Sequence, residues 1–386
     1  MKILLVNSFY SPYGKGGAER SLKVIADSLS REGHSVTVIC CSQKSHVDIV
    51  DGVSVHYMKL NPFLGKGSFL SKIAFHFLDF FNFYSLYKVF KLSKEIRPDI
   101  INFNNLYGFS PSVLLVGRIL KIKTILTLRD YYGLCVKSSL YHKGCQNEQG
   151  SLCKKISILK KILFNACVDY VVANSKKTLS IFKQSGYFLD GIESKHIYNG
   201  FDLSRSIREK DFSWNSENEK INIGYFGKIC PDKGFEVFYE AAKKIDANFY
   251  VAGEWAIDSI SPNDMPDNFK YLGFVSPQEM FNKIDVLVVP SLWHDPLPRT
   301  VFEAMSFGIP VVGSDRGGIP EAIANNSGWV YEAENFEQLR NILVSIVKKE
   351  YDLPEYSRAA KNNAQEFSQD LTVENYFNLY MEVTQK

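Results

Sequence analysis

Residues 285–321, DVLVVPSLWHDPLPRTVFEAMSFGIPVVGSDRGGIPE, decide the fold of this chain. The apolar run at 286–289 is too short to span a membrane and predicts a buried strand. Pro298 then predicts the start of a helix, and Gly308 predicts its end. A second apolar run at 309–312 and the glycine pair beyond it predict another strand and another helix. Such alternation directs loops and helix N-termini to the carboxyl edge of a parallel sheet, where α/β proteins bind ligands.

Two acidic residues mark that edge. Asp295 lies in the predicted loop and Glu303 in the first or second helical turn, with seven residues between them. A carboxylate can accept two hydrogen bonds from neighbouring hydroxyls, and sugars and riboses are rich in such diols. The alternative is a loop acid together with a helix acid that is favourable to the helix dipole. Spacing alone leaves both interpretations open.

The same alternation of apolar runs and amphipathic segments fills the first half of the chain. Strands are predicted at 3–8, 36–41, 53–58, 99–104, 124–129 and 170–174. The polar stretch at 204–220 predicts a linker. Beyond it, strands are predicted at 221–227, 248–253, 269–275 and 328–331, in addition to the two described above. We therefore predict an α/β protein with two Rossmann-like domains, 1–203 and 221–369, whose parallel sheets face each other across a cleft.

The composition excludes several classes of protein. With 45% hydrophobic and 23% charged residues, the 386-residue chain is typical of a globular protein long enough for two domains. A net charge of +3 argues against nucleic acid as a partner. The N-terminal MKILLVNSF predicts a first strand rather than a signal peptide, and no long uncharged stretch could cross a bilayer. Seven cysteines without secretory context favour a reducing cytoplasm.

Lysines and aromatic residues are interleaved at 68–94, SFLSKIAFHFLDFFNFYSLYKVFKLSK. Helices packed on the sheet explain some of the nine Phe and Tyr residues in this segment. Their number, and the excess of Lys and Arg in this half of the chain, favour docking on an anionic membrane surface. We predict a cytoplasmic protein that binds peripherally to the inner face of the plasma membrane.

Two loops that follow predicted strands contain groups suited to a phosphate. Gly16 and Gly17, in SFYSPYGKGGAERS, allow backbone N–H groups to approach an anion, although the loop is neither a dinucleotide fingerprint nor a P-loop. Lys228 and Lys233, in GKICPDKG, could neutralise a departing diphosphate. Taken alone, the first is better explained as a flexible loop and the second as an exposed basic loop.

The stretch from Asp295 onward resembles the donor-sugar signature of the family 4 retaining glycosyltransferases (glycosyltransferases group 1), which have the GT-B fold. The matching positions are Asp295, Glu303-Ala304-Met305, Gly308-Ile309-Pro310-Val311-Val312 and Gly317-Gly318-Ile319-Pro320-Glu321. One departure is Asp295, where the family usually has Glu, so the carboxylate reaches one methylene less far. A second is Lys228, where Arg is usual, so a point charge replaces a bidentate fork. In such proteins a closing helix, here 370–386, crosses back onto the first domain.

The resemblance implies a role for each residue of the donor site. Glu303 should bind the ribose diol, Asp295 the hydroxyls of the transferred sugar, and Lys233 the diphosphate. Lys228 should assist, with backbone N–H groups of the remaining donor-binding residues, Gly16, Gly17, Gly317 and Gly318. The mechanism usual in the family is front-face attack, in which the departing phosphate takes the acceptor's proton. We therefore expect no cofactor and no metal, only a nucleotide sugar as co-substrate.

The resemblance also implies an acceptor side in the first domain. Its candidates are Glu19 in the glycine loop, Arg129, and Ser175 after a predicted strand. Family members often have His where Arg129 stands, and Arg cannot act as a general base. Arg129 could hold a phosphate or form a structural pair with Asp130, which we place near the reaction as a catalytic candidate. Asn199 and Asp202 are interpreted as turn and cap residues.

Cys135, His142, Cys145 and Cys153 fall in one loop-like segment. Three cysteines and a histidine could bind zinc, but no Cys-x2-Cys pair is present, so unpaired thiols in an inserted loop are the default interpretation. Similar transferases carry a cysteine-bearing loop at this position, which would suit a lid over the acceptor.

The favoured function is transfer of a sugar, with retention, from a nucleotide sugar to a lipid-linked glycan of bacterial surface polysaccharide synthesis. A nucleotide-sugar epimerase of the same fold would need no acceptor, and a catalytically silent protein would bind the donor without turnover. An oxidoreductase ranks last, because the dinucleotide loop is absent.

Overall fold

The computed structural model describes residues 1–14, 16–59, 78–188, 191–209, 211–216 and 219–385. The chain divides into two compact units: Met1–Gly200 with Asp370–Lys386, and Phe201–Gln369. Residues 68–77 of the segment predicted to dock on a membrane, 68–94, lie outside the described residues. Among those described, no helix is both long and apolar enough to cross a bilayer.

The first unit is built on a sheet of predominantly parallel strands. Its strands are β1 (Lys2–Val6), β2 (Ser35–Ser42), β3 (His46–Val50), β4 (Val53–Lys59), β5 (Ile100–Phe103), β6 (Lys123–Leu128), β9 (Tyr170–Ala173) and β10 (Glu193–His196), with a separate hairpin of β7 (Tyr141–His142) and β8 (Cys145–Gln146). Within the described ranges the order is β10-β9-β6-β5-β1-β2-β4-β3, and only β3 runs antiparallel to its neighbour. The central strands are buried on both faces, as expected for a doubly wound sheet.

Helices cover both faces of this sheet. They are Gly17–Arg31, Phe83–Ile96, Leu115–Leu120, Ser151–Ile156, Ile158–Cys167, Lys176–Gln184 and the closing helix Gln369–Gln385, with a short 3₁₀ turn at Pro111–Leu114. The closing helix returns to the first unit, where Asn102 of β5 donates to the Tyr380 hydroxyl at 2.7 Å. Tyr376 and Leu379 of the same helix are buried with Tyr380 in the hydrophobic core of the first unit.

The second unit is built on a sheet in which every described strand pair is parallel. Its strands are β11 (Asn222–Phe226), β12 (Asn248–Ala252), β13 (Phe269–Tyr271), β14 (Val286–Val289), β15 (Val311–Ser314) and β16 (Gly328–Tyr331), in the order β13-β12-β11-β14-β15-β16 over the residues described. Its helices are Phe235–Ala242, Pro277–Phe281, Arg299–Ser306, Ile319–Ala322, Phe336–Val347 and Leu353–Ala364, and its 3₁₀ turns are Leu203–Arg205, Ser213–Asn215, Pro231–Lys233, Pro262–Asp264 and Gln365–Phe367.

The stretch predicted to be a linker, 204–220, is instead part of the second unit. Trp214 is buried in that unit's core, and Arg208 donates to the backbone oxygens of Phe281 and Ile284 at 2.7 and 3.0 Å. The buried Asp285 carboxylate accepts the backbone N–H of Ser213 at 2.9 Å. The polar composition that suggested a linker therefore reflects side chains that bind the second unit's backbone and carboxylates.

Candidate active site

In the second unit, loops after β11 and β14 are joined at the carboxyl edge of the sheet. Gly234 has φ +70°, and a Cβ there would lie 1.8 Å from the Pro290 carbonyl oxygen, so glycine lets the two loops approach. The Leu292 N–H donates to the Asp232 carbonyl oxygen at 2.9 Å. The polypeptide around Lys233 is thus fixed to the loop that carries Asp295.

This arrangement places the Lys233 ammonium in contact with the Asp295 carboxylate. Burial lowers the pKa of Lys233, but the charge and hydrogen bond of Asp295 outweigh that effect and raise the pKa overall. The Trp293 ring lies beneath the same ammonium, with 5.1 Å between Nζ and the ring centroid. Lys233 therefore stays charged, in a position where an anionic ligand could replace the carboxylate.

The glycine pair after β15 wraps around the backbone of Asp295. Gly317 has φ +57°, and a Cβ on it would lie 1.9 Å from the Asp295 carbonyl oxygen. The Gly318 N–H donates to that oxygen at 2.8 Å, and the Gly317 N–H donates to His294 Nδ1 at 3.0 Å. Both amides are therefore engaged within the protein, and the predicted contacts with a diphosphate would require these bonds to open. The pair positions Asp295 in this structure.

Glu303 is buried in the helix Arg299–Ser306 and pairs with Arg299 one turn earlier. Arg299 Nη2 and Nε lie 2.9 and 3.0 Å from the same oxygen, Oε1. Arg299 was not among the predicted site residues, although its position four residues before Glu303 is the spacing of a helical ion pair.

Lys228 pairs with a different carboxylate from Lys233. Its side chain is half exposed, and its Nζ lies 3.5 Å from Glu254 Oε2 on the loop after β12. Ion pairs between exposed side chains contribute little to stability, so this contact leaves Lys228 available to a ligand. Of the two predicted lysines, Lys233 is the one that is built into the site.

In the first unit, polar residues gather where β5 and β6 end. The Asp130 carboxylate accepts the Tyr132 N–H at 2.8 Å through Oδ1 and the Asn105 side-chain amide at 2.9 Å through Oδ2. Burial raises the pKa of Asp130 to about 6, against the opposing effects of the Tyr132 N–H and Lys160; Glu19 raises the pKa further. A carboxyl group with this pKa can exchange a proton near neutral pH.

Arg129, beside it, forms hydrogen bonds with amides. Its Nε lies 3.0 Å from Asn104 Oδ1 and its Nη1 2.6 Å from Asn199 Oδ1. Among the described residues it has no ion pair with Asp130, so the structural Arg–Asp pair considered above is not formed. Arg129 Nη2 and Asn174 Oδ1 are buried without a hydrogen-bond partner in the described part of the chain. A buried cation surrounded by neutral amides is a potential anion contact.

The remaining candidates of the first unit have structural explanations. Gly16 is the N-cap of the helix Gly17–Arg31, and a Cβ on it would lie 2.4 Å from Glu19 Oε2. Glycine therefore makes room for Glu19, which folds back over the loop. Ser175 is fully buried and caps the helix Lys176–Gln184 by accepting the Thr178 N–H at 3.1 Å. Ligand contacts of these residues stay predictions.

Two family models divide this chain between them. Residues 206–367 match the model described as Glycosyl transferases group 1, and residues 15–205 match that described as Glycosyltransferase Family 4. Two doubly wound units with these matches define a glycosyltransferase of GT-B fold, which confirms the predicted fold class and enzyme class.

The chain belongs to the family 4 glycosyltransferases. A Klebsiella pneumoniae relative, described as an uncharacterized 42.6 kDa protein in the cps region, is 30% identical over 331 residues, covering 83% of this chain and 87% of the relative. The amylovoran biosynthesis glycosyltransferase AmsK of Erwinia amylovora is 32% identical over 123 residues, covering 29% of this chain and 30% of AmsK. The crystal structure of Anabaena HepE in complex with UDP aligns with a TM-score of 0.71 and 20% identity over 99% of this chain and 100% of HepE.

Proposed function

We propose that this enzyme transfers a sugar from a nucleotide-sugar donor to a lipid-linked glycan in bacterial surface polysaccharide synthesis, with retention at the anomeric carbon. The observation that carries the proposal is the Lys233–Asp295 pair, held between Gly234 and Gly317. The relatives named for the cps region and for amylovoran biosynthesis support a polysaccharide product. HepE, crystallised with UDP, supports a nucleotide-linked donor.

The Lys233–Asp295 pair suggests how the donor is bound. A diphosphate carries more negative charge than the Asp295 carboxylate and competes with it for the Lys233 ammonium. Moving Lys233 to the diphosphate releases Asp295 to accept hydrogen bonds from the hydroxyls of the sugar. The same movement places a cation where negative charge grows as the glycosidic bond breaks. Lys228, half exposed at the end of the same loop, adds a second charge.

Glu303 completes the donor site in this proposal. Arg299 fixes Glu303 through Oε1, and the Glu303 carboxylate would accept hydrogen bonds from the ribose diol. In a front-face reaction the departing phosphate accepts the proton of the acceptor hydroxyl, so no metal and no protein nucleophile are needed. Asp130, with its pKa near 6, is the first-unit group suited to assist that proton transfer.

A lipid-linked acceptor requires access to a membrane surface, and the first unit carries exposed apolar groups that suit one. Phe83, Tyr84 and Tyr87 project from the helix Phe83–Ile96, where Lys88 lies 5.5 Å above the Tyr84 ring. The adjacent helix Leu115–Leu120 exposes Ile119. Apolar groups surrounded by lysines match the interface of an anionic bilayer.

The helix Ile158–Cys167 extends this surface. It packs beside Leu115–Leu120 and exposes Ile158 and Ile162. Leu152 is exposed on the preceding helix, just before the basic residues Lys154 and Lys155. Exposed apolar side chains on three helices that contact one another support a docking role.

The donor is tested first. Thermal-shift measurements with UDP-, GDP-, ADP- and CMP-sugars should identify one that raises the unfolding temperature of the wild type and not of Lys233→Ala. Transfer to lipid-linked acceptors is then assayed with that donor, and proton NMR of the product should show the anomeric configuration of the donor. An inverted product contradicts retention, conversion of the donor without acceptor indicates an epimerase, and binding without either reaction indicates a silent protein.

Membrane docking is tested by co-sedimentation with vesicles at low salt. The wild type should sediment with vesicles that contain anionic lipid, and the double variant Phe83→Ser/Tyr87→Ser should sediment several-fold less. Phe274→Ser is the matched control, because Phe274 is 83% exposed but belongs to the second unit. Equal sedimentation of both variants, or none of the wild type, would exclude this surface.

A further inference from the structure

The segment between β6 and β9 brings together three thiols and an imidazole. Cys135, Cys145 and Cys153 are 2%, 1% and 3% exposed, and His142 is partly buried beside them. One ligand atom from each of the four residues lies within 4.8 Å of every other. The four come from a turn, a hairpin and a helix that are separate in sequence, so the grouping is produced by the fold.

The distances between these groups match those of a tetrahedral metal site. His142 Nε2 lies 3.2 Å from Cys135 Sγ and 3.8 Å from Cys153 Sγ. Zinc binds thiolate sulfur at about 2.3 Å and imidazole nitrogen at about 2.0–2.1 Å, so a tetrahedron requires about 3.6 Å between sulfur and nitrogen. The two observed distances lie on either side of that value.

The surrounding backbone supports charged sulfur atoms. The Lys137 N–H donates to Cys135 Sγ at 3.4 Å, and the Gly150 N–H donates to Cys145 Sγ at 3.3 Å. Bonds from backbone N–H groups orient thiolate ligands and stabilise their charge. A Cβ on Gly150 would lie 1.7 Å from the Gly144 carbonyl oxygen, so a glycine is needed to close the loop against the hairpin.

We propose that Cys135, His142, Cys145 and Cys153 bind one zinc ion as a structural Cys3His site. All four positions of the tetrahedron are filled by protein, which is typical of structural rather than catalytic zinc. In this structure the Gly144 N–H lies 3.1 Å from His142 Nδ1, so Nδ1 acts as an acceptor. Coordination through Nε2 moves the ring proton to Nδ1, and the turn at Gly144 rotates to break that bond.

The ion would join parts of a segment that has little regular secondary structure. Between Tyr131 and the helix Ser151–Ile156, the regular structure consists of the two-residue strands β7 and β8. A long insertion with so few backbone pairs gains stability from a metal that joins its parts. Cys135 follows Asp130 and Tyr132 by only a few residues, and its N–H donates to the Tyr131 carbonyl oxygen at 2.9 Å. Zinc at Cys135 would therefore position the polypeptide that leads from Asp130.

Metal analysis tests the site directly. The full chain, purified from zinc-supplemented medium without a metal-affinity tag, should contain about one zinc per chain. Cys153→Ala should contain at least about tenfold less. Cys167→Ala is the matched control, because Cys167 is equally buried but lies outside the cluster, and it should keep the wild-type content. Less than about a tenth of an equivalent in the wild type, or equal contents in the two variants, would overturn the proposal.

Cobalt provides a test that does not depend on a variant folding. Replacement of the metal in the wild type should give a thiolate-to-cobalt charge-transfer band in the near ultraviolet and visible bands typical of tetrahedral cobalt. Removal of the metal should also speed hydrogen exchange in 131–157 and leave 286–321 unchanged. Octahedral cobalt bands, unchanged exchange, or a disulfide mapped between two of the three cysteines would each contradict a structural zinc. None of these readouts depends on the proposed transferase activity.

Discussion

The carboxyl edges of the two sheets are built in different ways. In the second unit, a lysine and a carboxylate are fixed by loops that approach closely at Gly234 and Gly317, two glycines in the left-handed region. In the first unit, side-chain amides from distant parts of the chain surround Arg129 and Asp130. The second edge is thus suited to a phosphorylated ligand of fixed shape. The edge of the first sheet holds a carboxyl group, Asp130, with a pKa of about 6. It also holds Arg129, whose Nη2 has no hydrogen-bond partner among the described residues.

The largest effect is expected from Lys233→Ala. Loss of the ammonium removes the charge that would stabilise the departing diphosphate, and turnover should fall by about two orders of magnitude or more. The fold should persist, because the change truncates a side chain that remains partly exposed. Steady-state kinetics with the donor identified above measures the turnover, and circular dichroism checks that the fold is retained.

Lys228→Ala is the matched control for this change. Its ammonium lies 3.5 Å from Glu254 and outside the Asp295 cluster, so the loss of turnover should be smaller. Equal losses in the two variants would contradict the difference drawn between these lysines. Unchanged kinetics in Lys233→Ala would remove Lys233 from the site.

An intermediate effect is expected from Gly317→Ala. The added Cβ meets the Asp295 carbonyl oxygen and forces a residue with a side chain into a positive φ, so the loop that carries Asp295 must shift. Donor affinity, measured by calorimetry, should fall by about tenfold. Gly273→Ala is the control, because Gly273 also has a positive φ but a Cβ there contacts nothing within 4 Å. An equal loss of donor affinity in the two variants would show that backbone strain, and not contact with Asp295, causes the loss.

The smallest effect is expected from Asp130→Asn, and it depends on pH. The folded protein raises the pKa of Asp130 from 3.8 to about 6, so between these values the native state binds more protons than the unfolded chain. The wild type should therefore lose stability as the pH rises from about 4 to about 6, and the variant should not lose this contribution. Denaturant unfolding at several pH values measures the difference.

The activity of the same variant distinguishes a structural from a chemical role. If the Asp130 carboxylate assists the proton transfer, wild-type kcat/KM should decline as the pH falls below about 6, and Asp130→Asn should show a lower, flatter profile. An identical profile in both proteins would leave Asp130 with a structural role only. This result would also weaken the distinction between the two sheet edges.

The strands that were predicted from the sequence are more buried than those that were not. The runs that became β5, β6 and β14 are continuous and apolar because both faces are covered, which makes them easy to recognise. By contrast, β3 and β10 were not predicted. Both lie at the ends of the sheet, and β3 (HVDIV) is largely exposed while β10 (ESKH) is polar. Edge strands whose side chains are exposed or polar, as in these two, leave little trace in the sequence.

The two halves of the candidate site were predictable to different degrees. Asp295 and the Gly317–Gly318 pair lie in one continuous stretch of sequence, and the resemblance of that stretch to a family signature associated them. Arg129 and Asn199 are 70 residues apart, and only the folded sheet shows that they meet. The zinc ligands were discounted because no Cys-x2-Cys pair is present. The pair His142-x2-Cys145, on either side of a hairpin turn, carried the same information.

Trp293, whose indole lies beneath the Lys233 ammonium, provides an intrinsic fluorescent probe. All four tryptophans, Trp214, Trp255, Trp293 and Trp329, belong to the second unit, and one of them touches the cation that a diphosphate would attract. Tryptophan emission from this chain therefore arises solely from the second unit. Withdrawal of the charge from Trp293 would alter that emission without any label, so occupancy could be followed in real time while an acceptor is varied independently.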